Sequence, residues 1–377
     1  MPTVLVLSFS DLAQDPRVSR QIGWLVSEFA VTAAGLAAPS RPDVRFIPFA
    51  PAQHGKTAKA VRGLNLLLHR HDRVYWDTFG PAFAAIQAER PDLIVANDLD
   101  TLPMAIRLGD QVTCPVVFDA HEYAPREFDE SWKWRLLRGP YSTDLCRRYI
   151  PRTAAVTTVG EAIADAYADL TGVRPQVITN ATDFHPDLSP RPLEPGRIRL
   201  VHHGVAVPSR KIENMIRLVS LLDRRFDLSF LLVDGIPAYR EELQRLAAGD
   251  PRVRFLPPVP MSELPARLNE FDLGLFLLEP TNFNYRHALP NKFFEFLQGR
   301  LGIAIGPTPE MARIVRATGT GVVAKDFLPE SLALELNALT ADDVNRFKQS
   351  AHAAAREFSA DTNRAKWLAV CAKALRR

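Results

Sequence analysis

LPNKFFEFLQGRLGIAIG, residues 289–306, sets an acid, Glu295, inside the most aromatic run of the chain, among Phe293, Phe294 and Phe296. At about 100° per residue, Asn291, Lys292, Glu295, Gln298 and Gly299 share one arc, and Phe293, Phe294, Phe296 and Leu297 share the opposite one. That pattern predicts a short amphipathic helix with Glu295 in the middle of its polar face. LGIAIG behind it is apolar on both faces, as a strand covered by helices on both sides must be. A helix feeding such a strand is half of a βαβ unit.

The same alternation runs outward through the chain. TVLVLSF, RFIPF, DLIVAN, PVVFDAH and AVTTVG in the first half, and IRLVHHG, LSFLLVDG, VRFLPP, LGLFLL and LGIAIG in the second, predict parallel strands with helices between them, an α/β fold. HPDLSPRPLEPGR carries four prolines and a glycine without apolar period, and reads as a linker. The expected organisation is two doubly wound, Rossmann-like domains, 1–185 and 198–360, joined by a linker at 186–197. A C-terminal helix, 361–377, is expected to pack back on the first domain.

With 377 residues the chain is too long for one ordinary core. The 46 basic and 43 acidic side chains nearly balance, which leaves no general field for nucleic acid. Cys114, Cys146 and Cys371 are scattered and odd in number, without a CxxC pair, so neither a disulfide framework nor structural zinc is expected and a reducing cytoplasm fits. MPTVLVLSFSDLAQDPRV lacks a basic n-region, and its apolar run reads as a strand rather than a signal peptide or membrane span.

Ligands of open parallel sheets gather outside the carboxyl ends of the strands. There the chain places Ser8, Ser10 and Asp11; Asn97 and Asp98; Asp119, His121 and Glu122; and His202, His203 and Gly204. Accumulation in both halves points to a cleft between two facing domains. Ser209, Arg210 and Lys211 follow the strand ending in HHG and precede a helix, where adjacent Arg and Lys suit a diphosphate; a surface basic pair is the other reading. The helix from Asn291 overhangs the same edge, so that Glu295 can accept hydrogen bonds from vicinal hydroxyls such as those of a ribose. No GxxxxGK[ST] phosphate loop or GxGxxG follows any strand.

DPRVSRQIGWL, DAHEY, HHG with Arg210 and Lys211 after it, and LPNKFFEFLQG together resemble the large retaining class of GT-B glycosyltransferases that holds many bacterial polysaccharide and glycolipid enzymes. The resemblance implies two Rossmann-like domains facing an interdomain cleft, and a nucleotide-diphosphate sugar as donor. Arg210 and Lys211 would hold the diphosphate beside Gly204, backbone N–H groups of Asn291 and Lys292 would meet the phosphates, and Glu295 would bind the ribose. His121 matches the histidine facing the reacting sugar. Ser10, Asp11 and Arg17, in or beside the DPRV region with Asp15, would border donor and acceptor. No cofactor and no metal are implied, and no Asp-x-Asp motif is read at any strand end that would argue otherwise.

The chain departs from this pattern at His287, where the family commonly carries a first glutamate seven residues ahead of the second. Retention implies front-face displacement, in which the leaving phosphate takes the acceptor proton. An inverting transferase or sugar-nucleotide epimerase, with Asp11, Asp98, Asp119 or Glu122 as base, and a noncatalytic nucleotide-sugar or glycan-binding subunit are the alternatives. The acceptor is a saccharide or lipid-linked saccharide. KTAKAVRGLNLLLHRHDRVYW and ESWKWRLLRGPYSTDLCRRYIPR interleave basic and apolar residues. They read either as solvated helix faces over core aromatics or as a peripheral contact with the inner face of a membrane.

Overall fold

The computed structural model describes residues 1–53, 55–233 and 235–376; Asp234 of the run LSFLLVDG and Arg377 of the final helix lie outside them. The chain forms two compact units: Met1–Thr179 with Asn282–Asn284 and Asn363–Arg377, and Asn180–Thr281 with Tyr285–Thr362. The division falls after Thr179, so the proline-rich stretch belongs wholly to the second unit.

In the first unit seven parallel strands, β1 (Thr3–Leu7), β2 (Ala30–Gly35), β3 (Arg45–Pro48), β4 (Leu93–Asn97), β5 (Val116–Ala120), β6 (Ala155–Thr158) and β7 (Gln176–Val177), lie in the order β3-β2-β1-β4-β5-β6-β7. In the second, β8 (Ile198–Val205), β9 (Phe226–Val233), β10 (Val253–Phe255), β11 (Leu273–Phe276), β12 (Gly302–Ile305) and β13 (Gly321–Val323) lie in the order β10-β9-β8-β11-β12-β13. Both sheets share the doubly wound order in which the first strand of each unit lies between the second and the fourth.

Strands with dense apolar runs were legible in the sequence; β2, β7 and β13 were not. AVTAAG of β2 has only Val31 and Thr32 as β-branched residues, and β7 and β13 are too short to show a period.

Period 2 divides each sheet between two cores. Leu5 and Leu7 join Tyr75, Phe79 and Tyr141 on one face of the first sheet. Val4 and Val6 join Val18, Ile22 and Trp367 on the other. Trp367 belongs to the segment from Asn363, which is thereby part of the first unit.

In the second unit the helix Asn291–Gln298 lies on one face of the sheet, and the Phe296 ring occupies the space that a side chain at Gly274 would need. The polar arc of this helix is itself buried: Lys292, Glu295 and Gln298 lie inside together with the phenylalanines. Their polar side is roofed by the unit itself. The Gln298 amide, for example, donates to the Ala355 carbonyl at 2.7 Å. Among the described residues no helix is long and apolar enough to cross a membrane.

Candidate active site

Where the strand order of a parallel sheet reverses, the following connections leave in opposite directions and open a crevice. That point lies between β1 and β4 in the first unit and between β8 and β11 in the second.

In the first unit, Asp15 caps the helix Pro16–Leu25 by accepting from the N–H groups of Arg17 and Val18. Arg17 and Gln21, one turn apart, then reach the same buried carboxylate. Asp119 accepts from Arg17 Nε at 2.6 Å and Nη2 at 2.7 Å, from the Thr157 hydroxyl at 2.6 Å, and from the Gln21 amide. Burial pushes the Asp119 carboxyl up, but the charge and hydrogen bonds of Arg17, and then those of His121, outweigh burial and hold it well below the usual carboxylate range. Arg17 also donates to the Ile178 carbonyl at 2.9 Å. Expected to border donor and acceptor, Arg17 is instead buried and committed to this network.

His121 stands between two acids: Nε2 is 3.1 Å from Asp119 Oδ2 and Nδ1 is 3.3 Å from Asp98 Oδ1. Burial opposes a charged ring, but Asp98 and Asp119 outweigh it and raise the imidazole pKa. Asp98 has φ +64°, a conformation costing a non-glycine residue on the order of 1 kcal/mol, and its N–H donates to the Asp119 carbonyl at 3.0 Å. Strain at this strand end aims a carboxylate at His121. On the loop after β1, Ser8 and Ser10 share a 2.9 Å hydroxyl contact, and Asp11 accepts from the Ala13 N–H at 3.0 Å.

A cavity of about 390 Å³ opens here, lined among others by Asp98, Asp100, His121, Glu122, Glu127 and Trp134. Asp98-Leu99-Asp100 follows β4 directly, which corrects the expectation about Asp-x-Asp pairs; the signal stood in the sequence as NDLD. Among the described residues, no group of three His, Cys, Asp or Glu side chains is arranged to hold a metal. Glu127, which sequence reasoning missed, is pushed up to about 7 by burial, with Glu122, Asp98 and Asp100 adding to it.

Because this value lies above the ordinary 4.5, the folded state keeps a proton that the unfolded chain releases, and stability falls as pH rises from about 4.5 to about 7. Glu127→Gln should therefore lose less melting temperature than the parent between pH 5 and pH 8. Parallel profiles would show that Glu127 does not titrate this way.

In the second unit, β8 ends in His202, His203 and Gly204. His202 Nδ1 donates to the Leu275 carbonyl at 2.8 Å, which leaves Nε2 as the acceptor facing Lys292 Nζ at 3.2 Å. Burial and then Lys292 push His202 far below the usual imidazole range, consistent with a neutral ring. Gly204 has φ +121°, and a Cβ there would stand 3.3 Å from Lys292 Nζ and 3.5 Å from Arg210 Nη1. Two cations thus converge on a bare backbone. Burial, then Arg210, pulls the Lys292 ammonium well below its ordinary value, with Glu295 acting in the opposite sense. Glu295 Oε2 lies 3.3 Å from His203 Nε2.

The expected Arg210–Lys211 pair is divided. Arg210 donates to the Val205 carbonyl at 3.1 Å, whereas Lys211 pairs with Glu279, which also accepts from the Asn214 amide at 3.0 Å. Lys292, expected to act through its backbone, supplies the second cation beside Arg210. Glu279 was missed, although an acid directly after LGLFLL is legible. Asn291 opens its helix behind Pro290 without a side-chain cap, and His287 is half-buried on the segment before it.

Two parallel sheets of this shared order match the GT-B fold. The chain superposes on HepE of Anabaena, solved with UDP-glucose, at TM-score 0.68 and 15% identity over 98% of each chain. It superposes on sucrose-phosphate synthase of Thermosynechococcus elongatus at TM-score 0.73 and 13% identity over 97% of each. With WaaG, a glycosyltransferase involved in lipopolysaccharide biosynthesis, the TM-score is 0.63 at 13% identity, over 94% of this chain and 95% of that one. Residues 30–185 match the family model of Glycosyltransferase Family 4. No curated protein matches the chain.

Proposed function

We propose that the protein transfers a sugar from a nucleotide-diphosphate sugar to a saccharide or lipid-linked saccharide, with retention and without a bridging metal or other cofactor. The convergence of Arg210 and Lys292 on Gly204 carries this reading. Two cations against a side-chain-free backbone, at the switch point of the second sheet, suit a pyrophosphate: Arg210 offers a planar fork and Lys292 a point charge. As the glycosidic bond breaks, these charges stabilise the departing diphosphate, work that a divalent cation does in other sites. Backbone N–H groups of Asn291 and Lys292 meet the phosphates, and Glu295 accepts from the ribose hydroxyls. Lys211, paired with Glu279, serves at the rim.

In the first unit His121 serves the reacting sugar, while Asp119, already saturated by Arg17, Gln21 and Thr157, holds the ring from behind. Ser10, Asp11 and His287 are assigned to donor-sugar and acceptor contacts. The leaving phosphate oxygen takes the acceptor proton, and the acceptor oxygen bonds the anomeric carbon on the face that the phosphate leaves. Three unpaired cysteines suit the cytoplasm as the working compartment.

HepE was solved with UDP and glucose, and UDP therefore heads the test. A thermal-shift series with UDP, GDP, dTDP and CDP should single out one base. Arg210→Ala should then weaken that diphosphate roughly 10-fold or more in calorimetry, the loss of one charge-assisted contact. Equal affinity in parent and variant would remove the phosphate seat. Inversion remains a second reading because Glu127, with a pKa of about 7, is suited to general-base work in the His121 cavity. NMR of the product anomer separates the two.

A further inference from the structure

The helix Lys56–Leu67 buries only Asn65 and Leu66. Val61, Leu64, Leu67 and Leu68 on this helix and its end are each more than half exposed, and so are Trp132 and Leu136 on the segment that packs beside it. Phe128, close behind, is nearly half exposed and edges onto Trp134. A soluble surface scatters such residues singly, whereas here they occupy two touching segments of one unit.

The charge on the two segments is predominantly positive, although Glu127, Asp129 and the exposed Glu130 lie around Phe128. Residues 44–71 contain Arg45, Lys56, Lys59, Arg62 and Arg70 with no Asp or Glu, and residues 131–143 contain Lys133, Arg135 and Arg138, again with none. Lys56, Lys59, Lys133 and Arg135 are exposed beside the apolar residues.

We infer that this face of the first unit docks on an anionic lipid bilayer, the apolar side chains entering the headgroup–acyl boundary and the lysines and arginines meeting phosphate headgroups. A second copy of the chain fits less well, since a two-fold contact would set these cations against one another. Nucleic acid has no use for the exposed leucines.

The surface adjoins the His121 cavity. Trp134 and Arg138, from the same segment as Trp132 and Leu136, line that cavity, and Arg138 Nη2 lies 3.9 Å from Asp100 Oδ1 within it. Docking therefore brings the mouth of the cavity to lipid, and it selects a lipid-linked acceptor over a free saccharide. That last step rests on the transfer reading; the docking itself does not.

The full chain should co-sediment with phosphatidylcholine vesicles containing phosphatidylglycerol, not with phosphatidylcholine alone, and more weakly at high salt. Two double variants, Leu64→Glu with Leu68→Glu and Lys56→Glu with Lys59→Glu, should each lose roughly 10-fold or more in partitioning. All four positions are exposed, so melting and UDP affinity should stay at parental values. Absence of vesicle binding, or equal binding by the variants, would overturn the proposal. A concentration-dependent dimer in sedimentation equilibrium, broken by the same variants, would assign the face to a second copy instead. If the parent binds vesicles but no nucleotide, the transfer reading fails while the lipid surface stands.

Discussion

Asp119→Ala should destabilise the first unit by about 3–5 kcal/mol, the usual result of removing one partner from a buried ion pair. Arg17 would remain buried with its fork unmatched, and the Thr157 hydroxyl and Gln21 amide would each lose an acceptor. For a unit of this size the melting transition should fall by roughly 10 °C. Arg17→Met combined with Asp119→Leu should recover much of the loss, because the penalty comes from the uncompensated charge rather than from the absent attraction. The sign with pH follows from the depressed carboxyl: its contribution is present above the unfolded value of 3.8 and is lost as pH falls below it toward the folded value. Parent and Asp119→Ala should therefore converge in acid and separate at neutral pH. A variant that melts with the parent at pH 7 would mean that Arg17 and Asp119 carry no coupled stability.

Such a network marks the limit of what the linear sequence discloses. Strand runs were legible because burial on both faces leaves continuous Val, Ile and Leu, as in TVLVL and LIVAN; AVTAAG buries as well but has little in it to announce a strand. Asp119 was legible as a polar residue at a strand end and Arg17 as part of the DPRV stretch, but their union was not, since 102 residues separate them. The result reverses a role, because Arg17 holds Asp119 rather than facing a ligand. Lys292 shows the same limit. Its place at a helix start was readable, but the meeting of its ammonium with Gly204 depends on a glycine 88 residues earlier adopting φ +121°. Glu295 stood out because an acid interrupts an aromatic run. That it is buried beside His203 follows from packing across the unit, which helical period cannot report. Glu127 and Glu279 carried signals of the simplest kind, acids on loops leaving strand ends, and their importance emerged only from what surrounds them.

His121→Ala should reduce turnover about 100-fold or more while leaving nucleoside diphosphate affinity at the parental value. The two effects separate because the proposed phosphate seat uses Gly204, Arg210 and Lys292 of the second unit, whereas His121 belongs to the first. Loss of one preorganised group that meets charge developing in the transition state typically costs several kcal/mol of barrier, and each decade of rate is about 1.4 kcal/mol. Asp98 and Asp119 favour the charged ring and face both of its nitrogens, so under the proposed transfer it is the positive charge of His121 that serves the reacting sugar. Deprotonation should then lower turnover. With the imidazole pKa raised above 6.5, the alkaline limb of the rate profile should lie above that value in the parent. Asp98→Asn removes one of the two supporting charges, so this limb should move to lower pH, with donor binding unaffected. A merely structural histidine would leave the limb in place. Undiminished turnover in His121→Ala would withdraw the ring from the chemistry, and the acids of the neighbouring cavity, Glu127 first among them, would become the groups to test for inversion.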